Sequence, residues 1–284
     1  MKRRDVLKII PAAMAGSTFS GFSKALDSSL LTKAGFTISV QCWSFNRFSA
    51  FEAIEKAAQA GASGVEIYQG QVLSSDLKGV KVGAGMPQEA FAAMVEHAAK
   101  HKIAFVNHGV LPIAADEAEA RKIFEFAKSL GLYGLTTESL GSIDTIEKLV
   151  KEYDIKVCFH NHPKPTALWN PDTISKAIET RDERIGFCAD IGHWASSGLN
   201  PLDVIKKIAP RVHAFHLKDR TSITEKTPDT IFGKGIIDLK GILDEVRKHG
   251  FKGNVTIEYE NNWEKNVPDI TECVTYLKNY SASV

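Results

Sequence analysis

The sequence predicts an α/β fold, a single-domain (β/α)8 TIM barrel. Three observations carry that expectation. The chain has 284 residues, close to the roughly 250 that such a barrel needs plus a short leader. From Phe36 onward, short β-branched or apolar runs alternate with longer segments of helical period, the pattern of a parallel sheet built from βα units. Eight strand-like runs can be counted, and eight is the number that closes the barrel. The barrel is expected over 34–284, after an export signal and linker over 1–33.

The leader comes first. Lys2-Arg3-Arg4-Asp5-Val6-Leu7-Lys8 precedes an apolar, small-residue stretch from Ile9 to Phe22 and then Ser23-Lys24-Ala25. Paired arginines followed by a hydrophobic residue and a lysine resemble a twin-arginine signal, and Ser-Lys-Ala suits a signal peptidase. A periplasmic or exported protein is therefore expected. After the leader no segment approaches the roughly 20 apolar residues of a membrane span.

Strands are expected at 36–43, 64–68, 103–107, 134–138, 155–160, 185–190, 211–216 and 254–259. Helices are expected at 50–60, 115–130, 142–153 and 238–248, several of them ended by glycine. The stretch from Gln69 to Pro87 is longer than a usual connection and is expected as a lid over the strand ends. Cys42, Cys158, Cys188 and Cys273 lack zinc-finger spacing and read as small buried side chains. A formal net charge of +1, without runs of like charge beyond the leader, speaks against a nucleic-acid partner and for a small neutral or anionic ligand. A homo-oligomer is left open.

In a barrel of this kind the active site lies at the C-terminal ends of the strands. Alternation along each strand says which residues point to the axis. Gly186, Cys188 and Asp190 face inward on the sixth strand, and His216 and Lys218 do so on the seventh, where His213 does not. Thr256, Glu258 and Glu260 look inward on the eighth, Gly134, Thr136 and Glu138 on the fourth, and Cys158, His160 and His162 on the fifth. Several carboxylates and imidazoles in one cavity need partners or a cation. Carboxylates with one histidine suit a divalent ion such as Mn, Zn, Co or Mg. The expected ligands are Glu138, Asp190, His216 and Glu258. Trp43 ends the first strand, Glu66 closes the second and His108 follows the third; all are candidates for substrate contact, with Trp43 stacking on a sugar ring. His97, His101 and His249 fall in helices and are expected at the surface.

The phrases Cys188-Ala189-Asp190-Ile191-Gly192-His193, His216-Leu217-Lys218-Asp219 and Ile257-Glu258-Tyr259, after Gly64-Val65-Glu66-Ile67, resemble the xylose isomerase-like TIM barrel superfamily, sugar phosphate isomerases and epimerases among them. The resemblance runs from about Phe36 to the end. It implies a metal at the barrel mouth held by Glu, Asp, His and Glu, and Asp190, His216 and Glu258 match that set. It places His193 on the substrate and Lys218 at the family's lysine or polar position beside the metal histidine, a further candidate for substrate contact. One departure matters: the family's first metal glutamate commonly ends the fifth strand, where this chain has His160-Asn161-His162. A similar His-Asn-His occurs in a branch that includes keto-sugar lyases and dehydratases.

The activity so implied is metal-dependent isomerisation or epimerisation of a small sugar or polyol through an enediolate. The alternative is a keto-sugar lyase, dehydratase or hydratase acting on an inosose or a 3-keto-glycoside. Glu258 or Glu138 would move the carbon-bound proton, with His162, His193 or Lys218 as proton donor or oxyanion support, and His160 against the substrate. An endonuclease IV-type enzyme and a binding protein without catalysis fit less well, because the charge is balanced and the ionisable set intact. No glycine-rich phosphate loop follows the seventh strand, which favours an unphosphorylated substrate.

Overall fold

The computed structural model describes residues 28–77, 79–224 and 227–284. The export signal read at the N-terminus falls mostly outside them. Eight strands close a barrel in sequence order: β1 Thr37–Gln41, β2 Gly64–Ile67, β3 Ala104–His108, β4 Gly134–Thr137, β5 Lys156–His160, β6 Ile185–Asp190, β7 Val212–Leu217 and β8 Asn254–Ile257. Every neighbouring pair is parallel, and β1 pairs with both β2 and β8. The expected strands are all present, each within about two residues of its expected ends.

Nine α-helices of the described residues surround the sheet: α1 Ala50–Gln59, α2 Gln88–Lys100, α3 Glu117–Leu130, α4 Ile143–Tyr153, α5 Pro171–Ile178, α6 Ile191–Ser196, α7 Pro201–Ile208, α8 Leu239–Lys248 and α9 Val267–Ala282. Local chemistry sets their ends. Ser49 and Glu52 form a reciprocal capping box on α1. Asn170 and Asn200 cap α5 and α7, each followed by proline at a position whose amide has no helical partner. Gly131 ends α3 at φ 65°, a left-handed turn that costs glycine little.

Between sheet and helices lies the apolar layer, in which Val40, Leu135, Phe159, Phe187, Phe215 and Ile257 are buried. Inside the barrel the residues are small or polar: Cys158, Cys188 and Ala214 cluster there, and the Ser39 hydroxyl donates to Asn254 at 2.8 Å. The four cysteines are free and buried. None of the described helices is long and apolar enough to cross a membrane.

Two expectations change. The first strand stops at Gln41, and Trp43 stands in a 3-10 turn, Cys42–Phe45, that carries it to the barrel rim. Of the described residues of the Gln69–Pro87 stretch, Gln69 alone lines the cavity at the strand ends. The stretch pairs with itself between Val72 and Lys81 and hangs from the start of α1, where the Ala50 amide donates to the Val72 carbonyl at 2.8 Å. Within it Leu73 and Val82 are buried.

Candidate active site

The C-terminal ends of the strands surround a cavity of about 1000 Å³, whose lining includes Gln41, Trp43, Tyr68, His160, His162, His193, Lys164, Arg220, Glu258, Glu260 and Trp263. At its floor four side chains meet. His160 from β5, Asp190 from β6, His216 from β7 and Glu258 just past β8 each offer a ligating atom within 4.8 Å of all the others. His216 and Asp190 are fully buried, His160 is 1% exposed and Glu258 7%.

Hydrogen bonding leaves this quartet incomplete. Asp190 Oδ2, His160 Nε2 and both ring nitrogens of His216 make no hydrogen bond among the described residues, although Lys218 Nζ stands 3.3 Å from Asp190 Oδ2 and Glu66 and Glu258 each stand 3.2 Å from a His216 nitrogen. Buried polar atoms are normally paired, because an unpaired one costs about 1–3 kcal/mol. Converging lone pairs of two imidazoles and two carboxylates are what a divalent ion would satisfy, so the residues fit the metal the sequence implies.

Glu138 occupies a different place from the one expected. Its Oε1 lies 2.9 Å from His160 Nδ1 and also bonds His162 Nδ1. Burial raises its pKa, but the two histidine hydrogen bonds outweigh this and bring it down to about 2. Glu138 belongs to a second group with His160 and His162, not to the floor quartet. The reason is reach: it follows the last residue of β4, whereas His160 is the last residue of β5. By holding Nδ1 it fixes the ring and turns Nε2 to the quartet, the carboxylate–histidine arrangement that supports metal ligands. Glu138→Gln is therefore expected to weaken metal affinity about 10–100-fold while keeping the site. Metal titration of the chelated protein measures it, and complete loss of binding would make Glu138 a ligand after all.

Glu66 is likewise below the cavity rather than in it. It is fully buried and lies 3.2 Å from His216 Nε2, while His216 Nδ1 lies 3.2 Å from Glu258. It faces His216 Nε2 at ion-pair distance, without the hydrogen bond that ties Glu138 to His160. His108 points the other way, into the helix layer, with its ring 5.4 Å from that of Phe126 on α3. Burial drops its pKa to about 4, and it is neither at the floor nor in the lining.

Asp190 has two tasks. Its Oδ1 accepts the His193 amide at 2.8 Å and so caps α6, leaving Oδ2 for the quartet. Its backbone is clasped by the buried Asn161, which donates to its carbonyl at 2.9 Å and accepts its amide at 3.0 Å. The His193 ring bonds the Asn161 carbonyl through Nδ1 at 2.9 Å. Burial pulls the His193 pKa down to about 3, so the ring is neutral. It stacks on His162 at 5.1 Å, and the two rings form one wall.

Lys218 is 1% exposed and surrounded by carboxylates. Its Nζ lies 2.8 Å from Glu260, 2.9 Å from Glu258 and 3.3 Å from Asp190, with His193 Nε2 at 3.4 Å. Burial disfavours the ammonium, but Asp190 and Glu258 outweigh it and hold its pKa well above the usual lysine value. Burial likewise raises Glu258 and Asp190, yet Lys218 and His216 pull the first, and His193 and Lys218 the second, below the carboxylate range. Both are ionised at neutral pH.

Glu260 links this floor to the rim, because its other oxygen accepts the Trp43 indole N–H at 3.2 Å. Trp43 is 42% exposed and packs edge-on against Tyr68 at 5.2 Å, leaving a fixed aromatic face beside the cavity. Trp43→Ala is expected to raise KM roughly fivefold, about 1 kcal/mol, with kcat little changed. An unchanged KM would remove Trp43 from the substrate site.

Strand parity brings Asp190, His216, Lys218 and Glu258 together with His160. It says nothing of Lys164, Arg220 or Trp263, which reach the cavity from loops, while Gln41 does so from the end of β1. Inward parity was the available signal for Glu260.

The arrangement has relatives. The sequence model of a family described as "Xylose isomerase-like TIM barrel" matches residues 54–279. An inosose dehydratase from Klebsiella pneumoniae is 29% identical over 137 residues, 42% of this chain and 46% of that protein. The matched part is thus about half of the curated relative. A putative uncharacterized protein from Parabacteroides distasonis has a crystal structure that is 28% identical, with a TM-score of 0.70 over 86% of this chain and 99% of that one. A D-tagatose 3-epimerase-like protein, 17% identical, shares the fold at a TM-score of 0.66 over 87% of this chain and 97% of its own.

Proposed function

The chain belongs to the xylose isomerase-like TIM barrel family, and on that premise we propose that it is a metal-dependent isomerase or epimerase of a small sugar or polyol. The observation that carries the reading is the buried quartet of His160, Asp190, His216 and Glu258, whose ligating atoms converge and of which Asp190, His160 and His216 keep atoms without a hydrogen bond among the described residues, under a cavity that also holds Lys218 and Glu260. A divalent ion of the Mn, Zn, Co or Mg type held there supplies Lewis acidity toward a carbonyl and its neighbouring hydroxyl.

The protein's own groups do the rest. Glu258 lines the cavity and takes the proton from the carbon beside the carbonyl. Lys218, 2.9 Å from Glu258, steadies the negative charge that develops on oxygen. His193 Nε2 reaches the same point from the other wall, and its neutral ring can pass a proton. Glu138 is bonded to His160 and His162 and is not among the residues that line the cavity, so it holds those rings and does not meet the substrate. Trp43 and Trp263 at the rim would hold the face of the ring.

A second reading has its own support. The His162–His193 wall lines the cavity, and the Klebsiella relative is named a dehydratase. Epimerisation beside a carbonyl and loss of a β-hydroxyl share their first step, removal of a carbon-bound proton. They differ in where the next proton goes. Proton NMR in D₂O with ketoses, inososes and 3-keto-glycosides separates them: deuterium uptake with the carbon skeleton retained is the expected result, whereas a vinylic signal would make the enzyme a lyase. No exchange at all with the metal-loaded protein would overturn both. Export rests on the leader at 2–25, and cell fractionation tests it: the protein is expected outside the cytoplasm.

A further inference from the structure

A second cluster of ligating groups lies outside the barrel, on the seam between α1 and α2. His97 and His101 are four residues apart at the end of α2, so they stand one above the other on a single face. Their rings are 4.7 Å apart. Glu55 on α1 turns one oxygen toward both: Oε1 is 3.3 Å from His97 Nε2 and 3.9 Å from His101 Nε2. The three ligating atoms lie within 4.8 Å of one another, as tightly as the quartet at the mouth, and the two groups share no residue.

The ring of His97 is held in place by stacking on Phe51, with centroids 4.1 Å apart and planes 11° from parallel. Its Nε2 also approaches the Phe51 carbonyl at 3.3 Å, a contact that an ion on that nitrogen would replace. Burial, with His101 and Lys100 nearby, lowers the His97 pKa, which keeps the ring neutral and its lone pair available. Two imidazole nitrogens and one carboxylate oxygen match a borderline transition ion, while Mg²⁺ and Ca²⁺ favour all-oxygen sites. The half-exposed position leaves room for water to complete a tetrahedron.

We propose that Glu55, His97 and His101 form a peripheral binding site for a divalent transition ion, zinc or its like, separate from the catalytic centre. Such an ion would pin α1 to α2. These helices flank the stretch whose first residues, Tyr68 and Gln69, line the cavity. The site is therefore placed to stiffen one wall of the mouth without touching the chemistry.

The test is zinc titration of the full, chelator-treated chain, with bound ion counted after desalting. Two zinc ions per chain are expected. His101→Gln, at a half-exposed helix end where folding is undisturbed, and Glu55→Gln should each lose one ion, or bind it at least tenfold more weakly, and keep normal turnover. Glu258→Gln should keep the α1–α2 ion, so failure of the mouth reading is seen separately. Equal zinc counts and affinities for the parent chain, His101→Gln and Glu55→Gln would overturn the proposal.

Discussion

Glu258→Gln is expected to lower the rate of proton exchange into D₂O by about 10³-fold or more, some 4 kcal/mol of transition-state stabilisation. The size follows from the two uses of one side chain. Glu258 Oε2 faces His216 Nδ1 at 3.2 Å and Lys218 Nζ at 2.9 Å, while the residue also lines the cavity as the proposed base. Glutamine keeps the shape but withdraws a charge and a basic oxygen together. Metal content should fall in parallel. An enzyme that retains both ion and exchange after this change would have its site elsewhere.

Lys218→Met should be equally severe, but in stability. Three carboxylates share the Lys218 ammonium in an environment almost closed to water. Removing one partner of a buried ionic cluster typically costs about 3–5 kcal/mol, because the charges left behind are uncompensated. For a chain of this size that corresponds to a Tm lower by roughly 10 °C in the chelated protein. A saturating divalent ion should recover much of the loss, since it binds the same two carboxylates, Asp190 and Glu258, that the ammonium had balanced. Differential scanning calorimetry with and without ion measures both effects. A Lys218→Met protein as stable as the parent when stripped of metal would show that the floor carboxylates are not ionised together.

How far the sequence could be read depended on how rigid each local rule is. The two-residue period of a strand is a hard geometric constraint, so it placed Asp190, His216 and Glu258 on the axis from letters alone. It could not rank Glu138 against His160, because both have inward parity on adjacent strands and what separates them is how far each strand end reaches. His108 eluded it for another reason. The β2–β3 register shifts between Val65 and Glu66, and Asn107 takes the inward place, its Oδ1 3.4 Å from where a side chain on Gly134 would begin. Glu66 does point inward, but one layer below the cavity. Trp263 and Arg220 come from loops, where no period exists to say which way a side chain turns. Their place is set by contacts across the fold, such as Arg220 Nε on Asp229 at 2.9 Å.

The carboxylate of Asp190 is a flat, stiff plate with one oxygen on the His193 amide and the other at the floor. Asn161 grips its backbone on both sides and also holds the His193 ring. The place of the floor oxygen and the aim of His193 are thus set by one part.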